Sequence, residues 1–178
     1  LEKKNSKKLV KQNRVAEFKL PQVLKGAVIL PKNLSIEPTI RHEKSIPVQA
    51  MQASPNAPLF AVGAYKQVLF FSASNLDIIG VLDFPEGQIY DLKFSRDGAL
   101  LLAAGGVNGK RGFVALWDVK SGERLQTIEQ GYDAVMAADI SADKQFIAMG
   151  SSDKLVHIYQ TSTGEFIESF KAHAAWLS

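Results

Sequence analysis

A chain of 178 residues, 46% hydrophobic and 22% charged, has the balance of a folded domain and enough length to bury a core. Without cysteine it forms no disulfide, thiolate metal site, cysteine nucleophile or c-type haem attachment of its own, and none of its apolar runs approaches the roughly 20 residues of a membrane-spanning helix. The formal charge of +3 hides an asymmetry, because residues 1–46 carry a net +7 and residues 47–178 a net −4.

The first stretch, residues 1–19, reads as a short basic helix with Leu9, Val10, Val15 and Phe18 on one side, and no signal-peptide pattern follows it. From Leu20 to Pro47 the prolines Pro21, Pro31, Pro38 and Pro47 recur about every ten residues. Each lacks an N–H and holds its predecessor extended. Residues 1–45 are therefore expected to be a basic N-terminal segment, either a solvated linker or a strap over the domain. Its charge also suits an anionic surface such as nucleic acid or lipid headgroups. Phe18 is the only aromatic residue among the first 46, however, so no aromatic-interleaved basic motif is present and nucleic acid is disfavoured. Contact with a membrane surface stays open.

Past Ser45 the pattern becomes short alternating apolar runs between turn residues, the signature of many antiparallel strands. The segments Val48 to Ala57, Ile89 to Gly98 and Val135 to Lys144 share one design: an alternating strand, a serine, then a turn. Second strands rich in small residues follow at Leu59 to Ala64, Leu100 to Gly105 and Phe146 to Ser151. Third strands close on an aromatic residue at Phe71, Trp117 and Tyr159, and fourth strands are expected at Asp77 to Leu82, Arg124 to Ile128 and Phe166 to Phe170. Ser54, Ser95 and Ser141 are 41 and 46 residues apart, and Phe71, Trp117 and Tyr159 are 46 and 42 apart. Both long spacings have one source, an insertion at Gly106 to Gly112 in the middle unit. Four strands recurring at such a period make propeller blades. The expected fold is all-β, with blades over about 46–83, 87–129 and 132–171 of a repeat region at 46–178, and the start of a fourth unit at Trp176-Leu177-Ser178.

These residues resemble the WD-repeat (WD40) family, whose units run through a Ser-Pro-Asp-Gly turn to a strand closing on Trp-Asp. Trp117-Asp118 is the full match to that dipeptide, and Ser95-Arg96-Asp97-Gly98 is the best turn. Ser54-Pro55-Asn56-Ala57 and Ser141-Ala142-Asp143-Lys144 are weaker versions. The resemblance gives Ser151 and Asp153 places in the family's structural network of His, Ser/Thr, Asp and Trp, and puts His173 where the next unit's Gly-His begins. Tyr159 replaces Trp in that network, and Gly131-Tyr132 stands where Gly-His would be. A second likeness, in the Pro-containing lead-in, Ala61 to Leu69 and the glycine-rich insertion, is to bacterial WD-repeat proteins whose propeller follows a c-type cytochrome domain and which are often exported. That likeness implies a periplasmic location; otherwise the cytoplasm is expected.

Catalytic candidates reduce to structural roles. His42, His157 and His173 show no metal-ligand spacing, so no metal or cofactor is expected. Asp133 with Asp139, or Asp91 with Asp97, flank a strand and its turn, where aspartates accept backbone N–H groups. Gly105 to Gly112 lacks the following helix that a phosphate loop requires and reads as a flexible hairpin tip. Lys110 and Arg111 at that tip are the candidate partner-contact residues. Three blades do not close a ring, so the expectation is a non-enzymatic protein-binding scaffold, completed by the rest of a longer chain or by another protein.

Overall fold

The computed structural model describes residues 26–40, 47–131 and 133–171. The helix expected at 1–19, as well as His42, His173 and the start of a fourth unit at Trp176, lies outside these residues. Twelve strands and no helix occur among the described residues. Blade one comprises β1 (Ala50–Ala53), β2 (Leu59–Ala64), β3 (Gln67–Ser72) and β4 (Ile78–Asp83). Blade two comprises β5 (Gln88–Phe94), β6 (Leu100–Val107), β7 (Arg111–Asp118) and β8 (Arg124–Gln130). Blade three comprises β9 (Val135–Ile140), β10 (Phe146–Ser151), β11 (Leu155–Gln160) and β12 (Phe166–Lys171). Each set of four is a separate antiparallel sheet whose strands lie side by side in chain order.

Alternation sets which residues meet between blades. In blade one Ala61 pairs with Phe70, Gly63 with Val68 and Val68 with Leu82, so these residues and Leu59 share the face turned toward blade two. The same positions in blade two are Leu100, Leu102, Ala104, Val114, Leu116 and Ile128, turned toward blade three. Both faces are buried. Blade one's face meets Ile89 and Leu92 of β5 together with Leu101, Ala103, Ala115 and Trp117. Blade two's meets Val135, Ala138 and Ile140 of β9 together with Ile147, Met149 and Tyr159. A fully buried side chain of this size contributes about 1.5–3 kcal/mol, so these two seams are the core. Blade two is covered on both sides, which explains why β6 is an unbroken run of small and apolar residues rather than an alternating one.

Blade three carries the same face in Phe146, Ala148, Gly150, Val156, Ile158 and Phe170. Here no blade covers it among the described residues: Phe146 is 41% and Phe170 50% exposed. At the other end, the outward side of blade one carries Phe60 stacked on Phe71, centroids 5.4 Å apart.

Two sequence expectations change in detail. The insertion in the middle unit is not a loop from Gly106 to Gly112. β6 and β7 continue through it, with Gly106 paired to Gly112 and Val107 to Arg111, which leaves only residues 108–110 as the tip. The glycines are there because backbone comes close: a Cβ at Gly105 would overlap the Gln88 carbonyl, and one at Gly112 the Asp133 carbonyl. The extended proline-containing segment, for its part, lies on the blades over residues 26–40. Its Ile29 and Leu34 pack on the first seam. The Lys32 N–H donates to Lys120 O (2.8 Å) after β7, Thr39 Oγ1 donates to Asp83 (2.8 Å), and Gln67 Nε2 donates to Ile40 O (2.8 Å).

Candidate interaction surface

The repeat turns are closed by serine and aspartate. In blade two Ser95 Oγ donates to Asp97 Oδ1 (2.6 Å) and accepts the Leu100 N–H (3.0 Å), while Asp97 also accepts the Ala99 N–H. Gly98 follows at φ 69°. Blade three repeats the turn with Ser141, Asp143 and the Phe146 and Gln145 amides, but Lys144 takes the glycine's place at φ 63°. Lys144 then reaches back across the seam to Asp97. Burial pushes the Asp97 carboxyl up, and Lys144, Ser95 and the Ala99 amide together outweigh it, holding the group below its ordinary value. In blade one Asn56 replaces the aspartate and the buried Ser54 Oγ finds no partner, which is the physical content of that weaker turn.

Trp117 is 2% exposed, with Phe84 against it and the Arg124 guanidinium over its ring at 5.4 Å. Asp118 accepts the Ser121 N–H (2.7 Å) and hydroxyl (2.9 Å) and so shapes the turn into β8. In blade three the aromatic position holds Tyr159, whose hydroxyl donates to Gln130 Oε1 (2.6 Å) at the end of β8. Asp153 Oδ2 lies 2.6 Å from His157 Nε2 and accepts a long contact from Gln130 Nε2 (3.5 Å). Burial raises the Asp153 carboxyl, but the Leu155 amide, His157 and Ser151 hold it below the usual range. Burial, reinforced by Asp153, raises the Tyr159 phenol. The blade is therefore tied by a substitute network, with Gln130 from the neighbouring blade as the member that repeat spacing does not reveal.

The tip of the β6–β7 hairpin separates the two contact candidates. Lys110 is exposed at the tip itself, whereas Arg111 lies in β7 and pairs with Glu129 of β8 (3.1 Å). The tip is fastened to blade three: Asp133 accepts the Gly109 N–H (2.8 Å), the Ala134 N–H (2.8 Å) and the Ser152 hydroxyl (2.5 Å). Those bonds, the Ser152 one foremost, hold its carboxyl below the ordinary range against a small effect of burial. Beside it opens a cavity of about 870 Å³ lined by Asp91, Asp139, Met136, Ala148 and Val156 among others. Asp91 is already engaged across the seam with the Ala138 N–H (3.1 Å). No group of three or more metal-ligating side chains occurs among the described residues. The site is a surface of strand faces and turn tips, in which the carboxylates found serve backbone and neighbouring blades.

Successive four-stranded antiparallel sheets, each laying its inner strands on the face of the one before, define this as a segment of a β-propeller. Residues 122–160, from the turn before β8 to the end of β11, match the family described as WD domain, G-beta repeat. Over that stretch the chain is similar to the WD-repeat family. Among curated relatives, Eukaryotic translation initiation factor 3 subunit I of Aspergillus niger is 34% identical over 83 residues, or 47% of this chain and 23% of that protein. The subunit of the same name from Debaryomyces hansenii is 29% identical over 86 residues, or 48% of this chain and 24% of its own length. The matched stretch thus spans about a quarter of these relatives. The crystal structure of the computationally designed Ika8 protein superposes on 74% of this chain and 38% of its own, with a TM-score of 0.60 at 17% identity, a likeness of fold. The relatives found lend no support to the cytochrome-linked reading.

Proposed function

We propose that this chain is a non-catalytic protein–protein interaction scaffold, and that its uncovered blade face is completed by a further blade from the same longer protein or from a partner. The observation that carries this reading is the third face: Phe146, Ala148, Gly150, Val156, Ile158 and Phe170 repeat, position for position, two faces that are buried against the next blade. A seam of that composition left in water forfeits about 25 cal/mol for each Å² of apolar surface. The relatives bear the name of a subunit of a larger factor, which suits a propeller working inside an assembly. Lys110, at the fastened hairpin tip, is then a rim residue open to other proteins.

The test places a photo-crosslinking amino acid at position 170 in the full-length protein and identifies the captured peptide by mass spectrometry. A peptide from another repeat strand, in the same or a partner chain, is expected. Capture of solvent alone, with efficient crosslinking from a control position in the second seam, overturns the reading.

A further inference from the structure

The rim of the first seam holds a slot built from two missing side chains. Gly80 of β4 and Gly122 in the β7–β8 turn face each other across blades one and two, and the Leu34 side chain lies between them. A Cβ at Gly80 would come within 2.8 Å of Leu34 Cδ1, and one at Gly122 would overlap the same side chain; Leu82 also borders the slot. On one side the Lys32 N–H donates to Lys120 O; on the other, Ile40 exchanges backbone hydrogen bonds with the Gln67 carboxamide. Between these anchors Asn33, Ser35, Ile36 and Glu37 are exposed. Recognition thus reads backbone at two points with one leucine between them, while Ile29 and the Thr39 hydroxyl hold the segment outside the slot. Asn33, at φ 60°, turns the chain into the slot, a conformation asparagine adopts more readily than most residues.

The second seam shows that the slot is a recurring feature which something must fill. There Gly164 takes the place of Gly122, but the position of Gly80 belongs to Gln126, and the Gln126 carboxamide occupies the space, with Nε2 2.8 Å from where a Gly164 Cβ would stand. Gln126 is 3% exposed and its Nε2 is buried without a partner. One slot is closed by a polar side chain of its own blade. The other is left open and taken by a separate segment.

We propose that the Gly80–Gly122 slot is a peptide-binding site for extended segments carrying a leucine, and that residues 26–40 are its resident occupant. The strap binds in cis with an effective concentration in the millimolar range, so a partner's segment of the same chemistry enters only when the strap leaves. The slot is then both a clip across blades one and two and an exchangeable docking point.

The probe is a fluorescein-labelled peptide of residues 26–40, followed by anisotropy against the whole chain. Leu34→Asp expels the strap from the apolar slot, and its binding of the peptide is expected to be at least about tenfold tighter than that of the unaltered chain. The further change Gly80→Gln, which copies the second seam, is expected to abolish that gain. In the unaltered chain, the Lys32 amide should exchange hydrogen at least about tenfold faster than amides of β4. A strap whose Lys32 amide exchanges only with global unfolding overturns the proposal. So does a Leu34→Asp chain that keeps its strand circular dichroism and binds the peptide no better than before.

Discussion

Lys144 Nζ lies 2.6 Å from Asp97 Oδ2, an ion pair that runs from the turn of one blade to the turn of the blade before it. Both side chains are largely covered, at 14% and 28% exposure. Lys144→Met leaves Asp97 its Ser95 and Ala99 partners, so the loss should be about 1 kcal/mol. Asp97→Ala strips those partners too and should cost about 2 kcal/mol. Urea denaturation checks both, as a lowered midpoint at unchanged slope.

Asp97, Asp133, Asp143 and Asp153 all sit below the ordinary 3.8 when folded. The unfolded chain therefore binds protons more readily than the folded one in that range. The stabilisation is complete above the unfolded value and is lost as pH falls through the lower folded values. Thermal midpoints should be flat with respect to these groups above about pH 5 and drop below about pH 4. Asp97→Asn should flatten part of that acid limb.

Tyr159 titrates in the opposite sense. Its folded value lies above 10.0, so the contribution of its neutral phenol is present at neutral pH and is lost as pH rises through that raised value. Tyr159→Phe leaves Gln130 Oε1 without its donor and should cost about 1 kcal/mol at neutral pH. A spectrophotometric titration of phenol ionisation should lose a late-ionising component when Tyr159 is replaced.

Gly122→Ala and Gly109→Ala separate conformation from space. Both residues have positive φ, 72° and 68°, so each alanine costs about 1–2 kcal/mol of backbone strain. A Cβ at Gly109 meets nothing within 4 Å, whereas one at Gly122 runs into Leu34. The Gly122 variant should be the less stable of the two by urea midpoint, and only that variant should speed amide exchange at Lys32.

Asp133→Ala should free the hairpin tip without unfolding the blades. Gly109 loses the acceptor for its N–H, so its amide should exchange faster. Trypsin should cut after Lys110 or Arg111 sooner than in the unaltered chain, while the thermal midpoint falls modestly and the transition stays cooperative.

The blades were legible because their signals are local and repeated. The serine-to-serine and aromatic-to-aromatic spacings in the sequence locate β2 and β10 at their observed residues and nearly all the other strands to within two. The substitute network was only half legible: the resemblance to WD repeats points to Asp153 and Tyr159, but Gln130 enters it from the neighbouring blade, and nothing in a period of 41 to 46 residues marks that contact. Leu34 was hidden for the same reason. One leucine in a proline-containing stretch looks like linker until the two glycines that receive it, 46 and 88 residues further on, are brought together. Arg111 was misread as a tip residue because a run of glycines looks like loop, where here it lets backbone approach backbone.

Among the described residues no further blade packs on either outer face, and the two are unlike each other: exposed Phe146 and Phe170 on one side, the half-buried Phe60–Phe71 stack on the other. Contacts between copies of the chain through such surfaces are head-to-tail, and each addition presents the same two ends again. Growth of that kind stops only when the accumulated rotation closes on itself; otherwise it propagates into filaments. Blades whose two end faces are left bare have the geometry of a polymerising monomer, so a cover over either face would also set an end to growth.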